Sequence, residues 1–545
     1  MFITVASFIL FTGLVAFATW FFTRKTEHES RDGFFLAGRS LTWPFIAGSL
    51  LLTNLSTEQM VGLNGSAYAN GLCVMAWEVV AVAALVMMAL FFLPKFLRAG
   101  ITTVPEYLAQ RFDGTTELIC NLIFLVAYAA ILLPIILYTG AQGMRGILGL
   151  DTVMSSYGIT SEYWQLFIVV TAVAVIGSFY ALWGGLNTCA VSDTFNGIGL
   201  LVGGFMITYF SLLLLGGNDG AARGFEVFVT ESRSAGMLNS IGSAKSEVPF
   251  LTLFTGILFI NVFYWCTNQQ IIQRTFGAKS LAEGQKGVLM TGLLKLIGPL
   301  YLVIPGLIAA VAAGSKFGLI QVTSKDTAYS ALVNAVLPKP LLGFFAAVLL
   351  GAILSSFNSA LNSTCTMFSL GIYRRLWNHE ADDREVVGIG RYFGFAMTVV
   401  CIFVAPLLVK AGGIFNYLQT MNAIYFIPIL AVVAVGMTTR KVPAAAATVA
   451  LIAGVIMIAA VYFIEPLKVI ITTLGSEYHF VALVMLALII MMLTWSAIAP
   501  RRTPYQPIDA GKTDLTPWKF ASLASLLLLA IVAFIYIYFA DTSVL

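Results

Sequence analysis

The sequence predicts an all-α polytopic membrane protein with about 14 transmembrane helices. Of its 545 residues, 59% are hydrophobic and only 10% are charged, and the mean hydropathy is +0.91. A soluble domain carries roughly 25% charged residues because its surface faces water. The apolar residues also recur in runs of roughly 20, the length that crosses a bilayer as a helix. Composition and pattern together exclude a soluble globular protein.

Fourteen segments meet the length criterion for a membrane span. The first is not a secretory signal, because no basic residue precedes it and no small-residue cleavage site follows it. An even number of spans places both termini on the same side of the membrane. The candidate spans cover residues 3–22, 41–62, 72–94, 118–140, 165–183, 193–216, 249–265, 286–313, 340–370, 388–411, 414–437, 442–464, 480–499 and 517–540.

The distribution of basic residues predicts the orientation. Arg24 and Lys25 directly follow the first span. When the connecting segments alternate sides, 20 of the 30 lysines and arginines fall on the side of Arg24, nine fall on the other, and Lys295 lies inside a span. Basic residues accumulate in cytoplasmic segments. We therefore expect a multi-pass protein of the cell (inner) membrane with both termini outside the cytoplasm.

Two of the spans are interrupted by polar residues. The second contains the run NLSTEQ at 54–59, and the seventh, whose apolar part is unusually short, breaks over the run NVFYWCTNQQ at 261–270. Non-helical backbone is tolerated at membrane depth only where it is buried in protein or lines a cavity. For the second span, the alternative is a helix that ends at Leu52 and is followed by a polar loop.

The spacing of these interruptions predicts an internal repeat. They lie five spans apart, and because five is odd, the second half must insert with the opposite orientation. Inverted repeats with broken helices around a midplane site are typical of secondary transporters. We expect one transporter domain over 1–545, made of an extra N-terminal helix (3–22), two repeats (41–216 and 249–437) and three extra C-terminal helices (442–540).

Two charged residues lie inside apolar spans, Glu78 in the third and Lys295 in the eighth. A charge in a span costs roughly 2.5–3.5 kcal/mol on insertion scales, so it faces a cavity, a partner or an ion. One interpretation is a purely structural ion pair. The other is a site for a polar solute, which needs convergent polar groups and a flat apolar wall. The second is favoured by amide and aromatic residues of the second, third and seventh spans: Asn54, Trp77, Asn261, Tyr264 and Trp265.

The ninth span is rich in hydroxyl side chains, among them Ser355 and Ser356. Small residues of this kind pack helices against each other, and serine hydroxyls also bond to their own helix backbone. The alternative is a sodium ion bound between these hydroxyls and the carbonyls freed by the interrupted second span. Asp193, at the predicted start of the sixth span, is either a helix N-cap or a carboxylate on a cation route.

Several short motifs between Asp32 and the end of the eleventh span are specific when taken together. They are FLAGRSL at 35–41, NLSTEQ at 54–59, WGGL at 183–186, YWCTNQ at 264–269, QRT at 273–275, KS at 279–280, LNS at 361–363 and IY at 372–373. With them the chain resembles the sodium/solute symporter family, specifically its sodium/glucose cotransporter branch.

The resemblance implies a leucine-transporter-like core of 5+5 inverted repeats and transport by alternating access. The sodium site it implies uses the carbonyls of Leu52, Leu55 and Ala352 with the hydroxyls of Ser355 and Ser356. The substrate contacts it implies are Asn54, Gln59, Glu78, Asn261, Lys295 and Gln419. Tyr264 corresponds to the inner gate beside Trp265, Trp77 to the outer gate, and Asp193 to a carboxylate on the cation path.

Three positions depart from the family pattern. Ala81 stands where the family's bacterial sugar transporter has a sugar-contacting serine, and Trp77 replaces an outer-gate tyrosine. Asn358 stands where relatives with a second sodium site have threonine. This last departure predicts one sodium ion per solute.

The sequence thus predicts a sodium-coupled symporter that imports a hexose such as glucose or galactose, with sodium as the co-transported ion. The alternative is a symporter of the same family for sialic acid, an amino acid or a carboxylate. Glu78 disfavours an anionic solute through like-charge repulsion, although Lys295 offsets it. The chain offers no catalytic constellation for an enzyme, and we expect no nucleic-acid partner and no obligate protein partner.

Overall fold

The computed structural model describes residues 2–24, 30–410 and 414–544. Lys25, which entered the orientation argument, lies outside them, as do the side chains of Thr57 and Glu58 in the second span. Within the described residues the regular structure is helical, with 25 α-helices joined by short turns, some of them of 3-10 or π geometry. The all-α class is therefore confirmed.

The first ten helices contain the N-terminal span and the first interruption, which falls between α3 and α4. Long spans are assembled from helices joined by π turns, such as α5 and α6 through Met88–Phe92. The bounds are α1 (Phe2–Thr23), α2 (Arg31–Leu36), α3 (Trp43–Asn54), α4 (Thr57–Asn70), α5 (Ala76–Met87), α6 (Leu93–Ala99), α7 (Val104–Arg111), α8 (Gly114–Ala127), α9 (Leu133–Leu148) and α10 (Leu150–Ser156).

The middle of the chain begins with one helix that covers two predicted spans. α11 bends at Gly185, whose φ of +59° lies in the left-handed region. A Cβ there would lie 2.8 Å from the Phe34 carbonyl oxygen, so only glycine suits this bend. The bounds are α11 (Glu162–Gly216), α12 (Gly220–Ser234), α13 (Gly256–Cys266), α14 (Gln269–Phe276), α15 (Leu281–Ile297), α16 (Pro299–Leu302), α17 (Ile304–Ala313) and α18 (Lys325–Val336).

The last seven helices include the serine-rich span, α19. α21 contains Pro428 in its interior, and α22 lies close to it at Gly454, where a Cβ would meet the proline ring at 2.6 Å. The bounds are α19 (Lys339–Phe368), α20 (Asp383–Val404), α21 (Ile414–Thr438), α22 (Ala444–Phe463), α23 (Val469–Leu474), α24 (Glu477–Ile498) and α25 (Ala521–Tyr538).

Side-chain caps explain where several of these helices begin. Thr103, Asp113, Ser280 and Asp382 each accept a hydrogen bond from the backbone N–H three residues later, at 2.7–3.2 Å. Such a cap satisfies one of the N–H groups that the first helical turn leaves without a partner. These helix starts are therefore encoded locally.

Eleven helices among the described residues are long and apolar enough to cross a membrane, or twelve if α15 and the helices after it, bent by 46°, form one span. The two predicted spans that fall short are the second and the seventh. The second is divided into α3 and α4, of 12 and 14 residues, and α13 in the seventh has only 11. The shortfall is therefore confined to the interrupted spans.

The interrupted helices occupy the interior of the helical bundle. α3 packs against α11, α15 and α19, while α13 packs against α5 and α21. Asn54 and Asn261, which belong to these two spans, are both buried at 5% exposure. The polar residues that break the apolar pattern thus lie inside protein rather than against lipid.

The segments that carry most of the basic residues meet at one end of the bundle, which we call the basic end. There Arg31 donates its N–H to Asp383 (3.0 Å), and Arg501 donates to the Arg111 carbonyl (2.6 Å). At the opposite end, Thr4 donates to the Lys339 carbonyl (3.1 Å). The N–H of Ser240 donates there to the carbonyl of Phe539 (2.9 Å). The first and last helices therefore place both termini away from the basic end.

Candidate functional site

The first interruption separates α3 from α4. Leu55 leaves the helical conformation, with φ −82° and ψ 67°. The Ser56 N–H then donates to the carbonyl of Asn54 (2.9 Å), so the regular ladder of helix hydrogen bonds is broken. The helix resumes at Thr57. The alternative of a helix that ends at Leu52 in a polar loop is therefore wrong.

The second interruption separates α13 from α14. The N–H of Asn268 donates back to the carbonyl of Phe263 (2.9 Å). The hydroxyl of Tyr128, which lies in the π turn between α8 and α9, donates to the Asn268 side chain. The same hydroxyl accepts a hydrogen bond from the Gln270 N–H (3.1 Å). A neighbouring helix thus satisfies the polar groups of this break, as burial requires.

A cavity lies between the two interruptions. Its volume is about 50 Å³. It is narrow in this conformation. It is lined by Thr53, Asn54, Gln59, Trp77, Leu132, Ile260, Asn261, Tyr264, Trp265, Gln270, Lys295, Leu418, Gln419, Asn422 and Phe426.

The structure brings together eight of the nine residues named from the sequence as substrate or gate residues. The exception is Glu78, which does not line the cavity and is 1% exposed behind Lys295. Asn422 and Gln270 line the cavity but were missed. Asn422 follows Gln419 by three residues in an apolar helix, so helical spacing places both on one face and offered a usable signal.

Lys295 organises the wall of the cavity. Its ammonium donates to Asn54 Oδ1 and to Glu78 Oε1, both at 2.5 Å, and lies 5.5 Å from the centroid of the Trp265 ring. Lys295 and Glu78 are each 1% exposed. Because the two charges cancel, the wall presents a polarised amide and an aromatic face rather than a net charge.

The predicted sodium ligands lie where α3 meets α19. Ser356 Oγ donates to the Thr53 carbonyl (3.0 Å). Ser355 Oγ lies beside the Asp193 carboxylate and makes no hydrogen bond of normal geometry to the described residues. Oxygen ligands are those that hard cations prefer, so the arrangement suits a small cation.

The three backbone ligands predicted for sodium lie in the same two elements. Leu52 is in the last turn of α3 and Leu55 directly follows that helix, while Ala352 precedes Ser355 by three residues in α19. All three are fully buried. Between Leu52 and Leu55, the carbonyl of Thr53 accepts the hydrogen bond from Ser356, so the end of α3 contacts the serine-rich part of α19.

Asp193 is not a helix N-cap. It lies well inside α11, where its carboxylate accepts a hydrogen bond from Ser49 Oγ (2.6 Å). The guanidinium of Arg274 lies 3.8 Å away and donates to the same Ser49 oxygen (2.7 Å). Of the two interpretations of Asp193, capping is thus excluded.

Arg274 and its neighbour Gln273 connect α14 to the surrounding helices. Arg274 also donates to the Gln270 carbonyl and to Ser359 Oγ on α19. Gln273 donates to the carbonyl of Phe35 (2.8 Å) and accepts from Ser363 (2.9 Å). These buried bonds tie α14 to α19 and to the segment at Phe35.

Several known proteins are similar to this chain in sequence. The model of the sodium:solute symporter family matches residues 34–454. The chain is 42% identical to "Uncharacterized symporter YidK" of Escherichia coli (strain K12), over 96% of this chain and 88% of that protein. It is 31% identical to the sodium/glucose cotransporter of Vibrio parahaemolyticus, over 79% of each chain.

More distant similarities extend over less sequence or concern the fold alone. The sodium/myo-inositol cotransporter of Canis lupus familiaris is 29% identical over 76% of this chain and 59% of that protein. The solved structure of a Na⁺-coupled sialic acid symporter in its substrate-bound outward-open state has a TM-score of 0.77. It is 19% identical and covers 93% of this chain and all of that one.

A helical bundle with two broken helices around a buried polar cavity defines a secondary transporter. The chain belongs to the sodium:solute symporter family. It is thus a multi-pass membrane protein that co-transports sodium with a small-molecule solute, and not an enzyme.

Proposed function

We propose that this chain imports a neutral, hydroxyl-rich solute, a hexose such as glucose or galactose, together with sodium by alternating access. The observation that carries the proposal is the bridge that Lys295 makes between Asn54 and Glu78 at 2.5 Å. It leaves the cavity wall neutral and rich in donors and acceptors. A sugar ring needs such groups around its hydroxyls and an aromatic face against its C–H groups.

The alternative solutes fit the charge of this wall less well. A carboxylate, as in sialic acid or another organic acid, would have to draw Lys295 away from Glu78. Glu78 would then be buried without its counter-charge, which costs several kcal/mol. The relatives named for glucose and myo-inositol transport neutral cyclic solutes with several hydroxyls, which supports the same choice.

The two interruptions support a 14-helix arrangement with a 5+5 inverted repeat. On this proposal α3 with α4 and α13 with α14 are the first helices of the two repeats, 41–216 and 249–437. The basic end faces the cytoplasm of the cell in the inner membrane, because basic residues favour that side. Both termini then lie outside the cytoplasm.

Sodium and solute are coupled through two adjacent residues. The Thr53 carbonyl accepts a hydrogen bond from Ser356 at the proposed ion site, and the Asn54 side chain accepts one from Lys295 at the cavity. An ion that fixes the end of α3 therefore also orients Asn54. Each ligand must favour the same conformer for such coupling, and the shared end of α3 provides that link.

Release to the basic end requires α14 to move. The hydrogen bonds of Gln273 and Arg274 to α19 and to the segment at Phe35 must break before solute and ion can leave. The membrane potential contributes roughly 2.3 kcal/mol per charge per 100 mV to inward movement. The sodium gradient adds to that driving force.

Uptake into proteoliposomes tests the proposal. We expect radiolabelled glucose or galactose to accumulate when an inward sodium gradient is imposed and not when potassium replaces sodium. The panel includes myo-inositol, sialic acid and an amino acid in matched vesicles. Sodium-driven accumulation of sialic acid or the amino acid, without accumulation of any neutral cyclic solute, would show that the sugar assignment is wrong.

A further inference from the structure

An apolar groove on the outer surface of the bundle is separate from the transport cavity. It lies between the π turn after α5 and helices α13, α21 and α24, with about 870 Å³ free of protein atoms. Phe91, Phe259, Leu430 and Met485 are among its lining residues, and Met87 on its wall is 41% exposed. At membrane depth such a groove faces acyl chains rather than water.

A second cavity adjoins this groove at the basic end. It has about 760 Å³ free of protein atoms, including space open to solvent, and is lined by Lys95, Arg98, Arg440 and Tyr505, among others. The groove and the cavity share Thr438. The Lys95 ammonium lies 3.4 Å from the centroid of the Phe91 ring. The apolar groove therefore leads directly into a cationic pocket.

The pocket carries more positive than negative charge. Lys95 donates one hydrogen bond, to the Met437 carbonyl (3.2 Å), and an ammonium has three donors. Among the described residues, no carboxylate lies within 4.0 Å of Lys95 or Arg440, and Arg98 is 4.0 Å from Asp509. Two of the three cations that line the pocket thus lack an acidic partner in the described parts of the chain.

We propose that the groove and pocket together bind an anionic glycerophospholipid. The phosphate is held by Lys95 and Arg440 while an acyl chain occupies the groove between α13 and α21. Basic pockets between transmembrane helices at the cytoplasmic surface recognise anionic headgroups. This site goes beyond the transport function, since it touches neither solute nor sodium.

A second surface groove provides an internal comparison. It is lined by Trp43, Lys286 and Trp518 with apolar residues of α15 and α25, so it also combines an apolar wall with a lysine. There, however, Lys286 is paired with Glu283 at 2.7 Å. Its charge is already balanced, and it offers no preference for an anionic headgroup.

Native mass spectrometry of the full chain in detergent tests the proposal, with phosphatidylglycerol and phosphatidylethanolamine of identical acyl chains as probes. We expect phosphatidylglycerol to be retained preferentially. The Lys95→Gln and Arg440→Gln substitutions should each lower its retention about five-fold, while Lys286→Gln leaves it unchanged. Ala434→Phe, which fills the groove, should lower retention without removing a charge.

Other outcomes would overturn the proposal. One is equal retention of the two lipids by the unmodified chain. Another is that Lys286→Gln lowers the retention of phosphatidylglycerol as much as Arg440→Gln does. If glycerol 3-phosphate alone displaces the lipid as well as an intact phospholipid does, the pocket binds a soluble phosphate instead. Arg440 is exposed, so Arg440→Gln gives a result even if Lys95→Gln does not fold.

Discussion

Among the residues that the structure describes, the bundle contains two fully buried ion pairs that differ in geometry. Lys295 lies 2.5 Å from Glu78 and on the wall of the cavity. Arg274 lies 3.8 Å from Asp193, and Ser49 bonds to both of them. Lys295 of the first pair lines the cavity, whereas neither member of the second pair does.

The difference indicates separate roles. Lys295 has its charge balanced by one close carboxylate and presents its remaining donor capacity towards Asn54 and the cavity, which suits a group that binds a solute. Arg274 donates to the Gln270 carbonyl in its own helix and to Ser49 on α3 and Ser359 on α19, which suits a group that holds helices together. We therefore propose that the first pair serves binding and the second serves closure.

The largest effect is expected from Lys295→Ala. It removes the donor to Asn54 and leaves Glu78 buried and unpaired, so uptake should fall by at least about a hundred-fold, as expected when breaking a buried pair costs about 3–5 kcal/mol. Sodium-driven uptake in proteoliposomes is the measurement. Lys325→Ala is the control. Lys325 pairs with Glu247 at the end of the bundle opposite the basic end, so this variant should transport normally.

A double substitution separates binding from a structural role at this pair. Lys295→Met with Glu78→Gln removes both charges, so the protein should regain thermal stability lost in Lys295→Ala while uptake stays absent. Recovery of uptake in the double variant would mean that the pair is only structural and would remove Lys295 from the solute site.

Arg274→Ala tests the assignment of closure. We expect the solute Kd to change less than two-fold, while concentrative accumulation falls about thirty-fold because the hydrogen bonds to α3 and α19 are lost at about 0.5–1.5 kcal/mol each. Equilibrium binding and accumulation are measured on the same preparation. A large change in Kd with unchanged accumulation would reverse the roles of the two pairs.

Ser356→Ala tests the link between ion and solute. It removes the hydroxyl that bonds to the Thr53 carbonyl. The sodium concentration for half-maximal uptake should rise about ten-fold, because that is the effect of losing one bond to a charged group. Ser369→Ala is the matched control, since Ser369 is buried at the end of the same span and bonds only to carbonyls in that span. An unchanged sodium dependence in Ser356→Ala would exclude an ion site at this serine.

The smallest effect is expected at the edge of the cavity. Gln419→Ala should raise the KM for the solute about three- to five-fold, as expected for the loss of one neutral hydrogen bond. Thr420→Ala changes the next residue, which bonds to Glu477 and does not line the cavity. Equal effects of the two substitutions on KM would remove Gln419 from the binding site.

Much of the fold was predictable because membrane helices are encoded locally. A run of apolar residues must form internal hydrogen bonds in lipid wherever it lies in the chain, so the uninterrupted spans are helices in the structure. The interruptions were predictable for the same reason. The bend at Gly185 was not predicted, because it joins two spans in one helix without a polar loop and depends on contact with Phe34.

The candidate site, like the fold, could be predicted only in part. The polar residues of the cavity could be selected one at a time, because each violates an apolar pattern, and Asn422 satisfied that rule although it was missed. An ion pair between Glu78 and Lys295 was one interpretation of the sequence, but the sequence could not decide which buried groups bond to each other. Glu78 and Lys295 are 217 residues apart, and the position of Glu78 behind Lys295, outside the cavity lining, depends on how α5 and α15 pack.

The sequence by itself determined a membrane protein, its apolar helices, the two broken spans and the residues too polar to face lipid. The tertiary structure alone decided which buried charge meets which, that Asp193 is bonded to Ser49 beside Arg274, and that an apolar groove ends among three cations. The physical reason is the distance along the chain over which each property is encoded. The length of an apolar run and the residues that break a helix are set within about 20 residues. The partner of a buried charge is set by helices that are distant in the chain and packed together in space.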